Sequence, residues 1–222
     1  MKLENIKACI FDAYGTLFDV NSAAAKCKEK LGSRWENFAN AWRTTQLEYT
    51  WLRSLMKKHK NFWEITEDSL DHTMETFKIK KEMRNELLNL YKKLSPYTEV
   101  KECLEGLKAK KIKIAILSNG TPDLLKGLVE SNNIQNYFDD IFSIESVGIY
   151  KPHSRVYEMP IKKYGCKPEN ICFMSSNTWD VSGGGIFGYN AIWVNRFNKI
   201  FDKLSYKPKF VINNLEELLK II

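Results

Sequence analysis

This sequence predicts an α/β fold with one helical insertion, on three observations. Six short apolar segments bounded by polar punctuation recur along the chain. Helix-like stretches separate most of them, which is the alternation of a parallel sheet covered on both faces. The interval 20–95 carries no strand signal and repeats apolar residues at helical spacing instead. The core is therefore expected over 1–19 plus 96–222, with 20–95 as a helical cap subdomain.

The first segment, Ile6–Phe11, reads as a buried strand, and Gly15 supplies a turn beyond it. Asp12 is thereby left at the carboxyl end of the strand, where open α/β sheets bind ligands. A carboxylate there can act as a covalent nucleophile or simply cap a turn, and the local sequence leaves both readings open. In the insertion, Trp35, Phe38, Trp42, Thr45, Tyr49, Leu52 and Met56 recur at steps of three and four, one stripe of a long helix. A second helix is expected after Thr66, with Glu67 and Asp68 in its first turn. A third carries Met83, Leu87 and Leu90. The short join to the first strand should set these three or four helices beside Asp12.

The remaining strands are expected at Ile112–Leu117, Ile141–Ile144, Ile171–Met174, Ala191–Val194 and Phe210–Ile212. Thr121-Pro122-Asp123 signals a helix start, with Thr121 as N-cap. Helices are also expected at Ser154–Tyr164 and Asn214–Ile222. Pro160 should kink or delay the former, because proline removes a helix hydrogen bond.

Composition bounds the function classes. With 44% hydrophobic and 27% charged residues the chain is of globular type, and no stretch approaches the ~20 apolar residues of a membrane span. Met1-Lys2-Leu3-Glu4 leads straight into the first strand, so a cytoplasmic location is expected. Five scattered cysteines without CxxC spacing suit a reducing compartment. The net charge of +7 comes from lysine clusters such as Lys57-Lys58 and Lys110-Lys111. Each cluster ends a helical pattern, where cations complement the helix dipole, so no nucleic-acid partner is expected.

Several motifs converge on the same sheet edge as Asp12. Ser118 and Asn119 end the second strand; Ser175, Asn177 and Asp180 follow the fourth; Lys151 precedes a helix. In order along the chain stand Asp12-Ala13-Tyr14-Gly15-Thr16-Leu17-Phe18, Gln46-Leu47-Glu48-Tyr49-Thr50-Trp51-Leu52-Arg53, Leu117-Ser118-Asn119-Gly120, Tyr150-Lys151-Pro152, Arg155-Val156-Tyr157-Glu158 and Ser175-Ser176-Asn177-Thr178-Trp179-Asp180. In these motifs, over nearly its whole length, the chain resembles the haloacid dehalogenase superfamily, and within it the L-2-haloacid dehalogenases. The resemblance implies a Rossmann-like, HAD-like core and hydrolysis of (S)-2-haloalkanoic acids to (R)-2-hydroxyalkanoic acids. It implies no cofactor and no metal, a 2-haloacid substrate with halide as co-product, and a homodimer.

It also implies roles. Asp12 would attack the halogen-bearing carbon and form an ester, and Thr16 would contact it. Lys151 would keep Asp12 ionised, since a nearby opposite charge lowers a carboxylate's pKa. Asp180 would activate water, with Ser175 and Asn177 positioning it and Tyr157 supporting the network. Ser118 and the backbone amides of Ala13 and Tyr14 would bind the substrate carboxylate. Arg43, near Asn119, would receive the halide. Leu47, Phe62 and Trp179 would line an apolar pocket or serve as plain packing.

Tyr14 bears on the alternative, a metal-dependent phosphatase of the same superfamily. Such enzymes need a second Asp two residues after the nucleophile to protonate an alkoxide, and tyrosine is a poor replacement. Halide leaves without a proton. A non-catalytic, basic nucleic-acid binder is a second alternative. The chain departs from the family pattern at His153-Ser154, at Pro160, and at Gly183-Gly184-Gly185, which should loosen the helix carrying Asp180.

Overall fold

The computed structural model describes residues 2–222. The strands are β1 (Ala8–Phe11), β2 (Lys113–Ser118), β3 (Asp140–Ser143), β4 (Ile171–Ser175), β5 (Asn190–Val194) and β6 (Phe210–Ile212). All pair in parallel, in the order β3-β2-β1-β4-β5-β6. Every residue of β1 and β4 is buried, as expected of central strands covered on both faces. The chain winds outward from β1 through β2 to β3, then returns to β1's other side with β4. The switch point therefore lies between β1 and β4, where such sheets open a crevice at the strands' carboxyl ends.

Five helices stand between β1 and the next core element: α1 (Ser22–Lys26), α2 (Lys28–Leu31), α3 (Trp35–Leu55), α4 (Phe62–Phe77) and α5 (Met83–Tyr91). The chain crosses into them and back on adjacent backbone. Asp19 N donates to Ser95 O at 2.9 Å and Tyr97 N to Leu17 O at 3.0 Å. The core continues with α6 (Val100–Ala109), α7 (Pro122–Ser131), α8 (Ser154–Tyr164), α9 (Thr178–Phe187) and α10 (Leu218–Ile221). Thr121 caps α7 by accepting from Leu124 N, as expected. The expected helix Asn214–Ile222 is a 3-10 turn, Leu215–Glu217, followed by α10.

Four expectations are corrected. The insertion has five helices, because α1 and α2 are too short to show a period. The helix expected after Thr66 begins at Phe62, where Asn61 and Glu64 form a reciprocal capping box. Thr66 is interior, its hydroxyl donating to Phe62 O at 2.7 Å. The buried seam of α3 runs through Phe38, Trp42, Gln46 and Thr50, whereas Leu52 and Met56 are exposed. Finally, Pro160 does not delay α8, which begins at Ser154 and continues through it to Tyr164. Lysine clusters follow the carboxyl ends of α3, α4 and α5 and close α6.

Candidate active site

Register brings the chemistry together. Phe11 pairs with Met174, so the next residues, Asp12 and Ser175, emerge side by side at the switch point. Asp12 N donates to Met174 O at 2.9 Å, which pins the backbone of the carboxylate to β4. The Asp12 side chain is almost fully buried. Its Oδ1 accepts from Lys151 Nζ at 3.1 Å. Its Oδ2 accepts from Asn177 Nδ2 at 2.8 Å, Thr16 Oγ1 at 3.0 Å and Ser175 Oγ at 3.4 Å. Thr16 Oγ1 in turn accepts from Ser176 N at 2.8 Å, and Ser175 Oγ from Asn177 N at 3.1 Å. Four donors thus fix one carboxylate, so it is no free turn cap.

Lys151 is wholly buried and also donates to Asp180 Oδ2 at 2.8 Å. Burial alone would push its pKa down. The charges of Asp12 and Asp180 outweigh that and hold the ammonium above its ordinary value. Asp180 is likewise fully buried, and burial raises its carboxyl to about 6 against the pull of Lys151, with the Asp12 charge adding to the rise. Tyr157 donates to Asp180 Oδ1 at 2.7 Å, and burial pushes its phenol well up, so it remains a donor. A carboxyl group titrating near neutrality is matched to taking a proton from water.

The triple glycine does not loosen this arrangement. A Cβ on Gly183 would stand 2.5 Å from Tyr157 Oη and 2.6 Å from Pro152 Cβ; one on Gly184 would stand 2.8 Å from Phe173. The glycines let α9 approach α8 and β4 closely enough for Asp180 to meet Tyr157 and Lys151. Gly183→Ala is therefore expected to displace the Tyr157 hydroxyl. Overpacking should cost about 1–3 kcal/mol of stability, and turnover should fall about tenfold or more because misplacement near the reacting groups is amplified. A melting curve and steady-state kinetics of the variant check both.

The residues expected to face a ligand are placed as follows. Ser118 Oγ accepts from Gly120 N at 3.1 Å, which leaves its proton to donate. The amides of Ala13 and Tyr14 donate to no other backbone group among the described residues. Asn119 Oδ1 accepts from Lys151 N at 3.2 Å, so its amide hydrogens remain for another partner. Arg43 and Leu47 come down from α3 and, with Tyr14 and Asn177, line a cavity of about 430 Å³. Trp179 lies apart, edge-on to Trp51 at 5.4 Å, on a second, apolar cleft of about 600 Å³. Phe62 is fully buried against the Tyr14 ring, 5.1 Å between centroids. A broader depression of about 890 Å³ at the opposite, amino end of the sheet holds none of these groups.

The sequence does not show what ties the insertion to the core. Tyr150 Oη donates to Lys60 O at 2.7 Å, and Glu145 Oε1 accepts from Phe62 N at 3.1 Å, both from core to insertion. It also gave no role to Gln46, a polar residue one turn beyond Trp42 on the buried seam of α3. That interruption of an apolar stripe was the available signal.

A family model described as haloacid dehalogenase-like hydrolase matches residues 6–188. An (S)-2-haloacid dehalogenase of Pseudomonas fluorescens is 40% identical, covering 97% of this chain and 96% of its own. (S)-2-haloacid dehalogenase 1 of Pseudomonas sp. strain CBS-3 is 38% identical, covering 99% and 98%. Among solved structures, the L-2-haloacid dehalogenase from Xanthobacter autotrophicus with chloropropionic acid covalently bound superposes with a TM-score of 0.90. It is 32% identical and covers 97% of each chain.

Proposed function

We infer that this chain, which belongs to the haloacid dehalogenase-like hydrolase family, hydrolyses (S)-2-haloalkanoic acids to (R)-2-hydroxyalkanoic acids. One observation carries the reading: a nearly buried carboxylate, Asp12, shares a single ammonium, Lys151, with a second carboxylate, Asp180, whose pKa is raised to about 6. The first is held in place by that ammonium for attack, and the second is poised as a base.

The substrate carboxylate binds Ser118 Oγ and the amides of Ala13 and Tyr14. Asp12 attacks the halogen-bearing carbon from behind; the new C–O bond forms as the halide leaves with the bonding pair, inverting the centre. Arg43 and Asn119 receive the halide. The insertion 20–95 acts as the cap subdomain that excludes water during this step, on Leu47 and Arg43 above and with Trp179 at its flank. Water then adds to the Asp12 carboxyl carbon while Asp180 takes one of its protons. The acyl C–O bond breaks, the departing alkoxide takes the proton of the added hydroxyl to become the hydroxy acid, and Asp12 is left as the carboxylate while Asp180 returns its proton to solvent. Ser175, Asn177, Thr16 and Tyr157 hold these groups in place.

A phosphate-ester reading would require an acid at Tyr14. Burial pushes that phenol well above its usual range, which makes it a still weaker acid than free tyrosine. A homodimer through α3 is supported by Leu52, Leu55 and Met56, which are exposed together at its carboxyl end. A cytoplasmic setting is supported by five free cysteines. Halide release from each enantiomer of 2-chloropropionate, with and without a chelator, tests the function. The S enantiomer alone is expected to react, chelator having no effect, and to yield (R)-lactate. Activity on phosphate esters that chelator abolishes would overturn the reading.

A further inference from the structure

Arg43 is the cap's cation at the cavity, and Gln46 fixes its direction. Gln46 is 1% exposed, one turn beyond Arg43 on α3. Its Oε1 accepts from Arg43 Nη1 at 2.8 Å. Its Nε2 donates to Thr66 Oγ1 on α4 at 2.7 Å and to Tyr91 Oη on α5 at 3.0 Å. Tyr91 Oη lies 3.3 Å from Gln46 Oε1 as well. One side-chain amide therefore ties Arg43 to all three long helices of the insertion. The Tyr91 ring stacks on Tyr14 at 5.8 Å, two residues beyond Asp12.

A buried amide is costly unless fully bonded, and an apolar residue would continue the Phe38–Trp42 seam without that cost. The amide does what neither an apolar nor an acidic side chain can. Its oxygen orients the guanidinium without neutralising it, so the positive charge remains available to an anion in the cavity. We propose that Gln46 is a positioning residue for halide departure, aiming Arg43 at the leaving group and thereby setting how strongly the rate depends on which halogen leaves. This rests on the assignment of Arg43 as halide acceptor.

Chloride is a poorer leaving group than bromide and needs more help from a cation. Loss of aim should therefore slow chloride release more than bromide release, whereas a general loosening of the cap slows both alike. The test is single-turnover halide release from (S)-2-chloro- and (S)-2-bromopropionate by the wild type, Gln46→Met, the near-isosteric Gln46→Glu, and Arg43→Met. Gln46→Met is expected to slow chloride release about tenfold, less than the 10²–10³ lost when a stabilising donor is removed outright. The bromide-to-chloride rate ratio should widen about threefold or more, with KM nearly unchanged. Gln46→Glu, which pairs Arg43 with a carboxylate, should widen it further, and it decides the matter should Gln46→Met fail to fold. If Arg43→Met widens the ratio and the folded Gln46 variants do not, the inference fails. If Arg43→Met itself slows both halides equally, the assignment of Arg43 falls first.

Discussion

Asp12→Asn is expected to release no halide above background, a loss of about 10⁴-fold or more, as when the nucleophile of a covalent mechanism is removed. The substitution isolates the chemistry because an amide oxygen can still accept from Thr16 and Asn177, which now bond Oδ2. What it lacks is the charge and nucleophilicity of the carboxylate. Lys151 keeps Asp180 at 2.8 Å, so its ammonium is not left unpaired in the interior, the situation that makes broken buried ion pairs so damaging. A melting curve should therefore show a cooperative fold. Were Asp12 only a turn cap, asparagine would serve nearly as well, and activity within about tenfold of the wild type would sink the nucleophile assignment. In the wild type, a single turnover in heavy-oxygen water should label Asp12, since water attacks its carboxyl carbon; label confined to the product would point to direct attack on the substrate.

The strands were legible because each is an apolar run, the central ones buried on both faces and the edge strands β3 and β6 partly exposed, and the observed boundaries differ from expectation by two residues at most. The groups at their ends were legible for the same reason: knowing where β1, β2 and β4 stop places Asp12, Ser118 and Ser175 at one edge. The insertion was harder. Leu52 and Met56 continue the three-and-four spacing although both are exposed, while the polar Gln46 holds a buried position that α4 and α5 satisfy and the buried Thr50 bonds back to Leu47 O within α3. The start of α4 was misplaced because Glu67 and Asp68 resemble a first turn, although Asn61 and Glu64 are the stronger signal. Gly183–Gly185 read locally as a weak helix; their reason is tertiary, the approach of Tyr157 and Phe173, and leaves no trace in local propensity.

Asp180→Asn should separate the two halves of the reaction. Attack by Asp12 needs Lys151 and the halide contacts, which the variant keeps, so one equivalent of halide per active site is expected in a burst. The ester should then persist, because the base is gone, and steady turnover should fall about 10²–10⁴-fold, the range general-base catalysis supplies. Mass analysis should find one propionate unit on the peptide bearing Asp12. The same logic fixes a pH profile for the wild type. Asp180 works as a base only when ionised, and burial has raised its pKa from 3.8 to about 6. In the ester Asp12 carries no charge to add to that rise, so ester hydrolysis should be fully supported above that pH and decline at lower pH as Asp180 takes up a proton, approaching tenfold per unit. Halide release in a single turnover should be much less affected over the same interval. If Asp180→Asn gave neither burst nor adduct, Asp180 would be required before the ester forms, as the second anchor of the Lys151 ammonium. Its role would then be to orient the cation rather than to activate water.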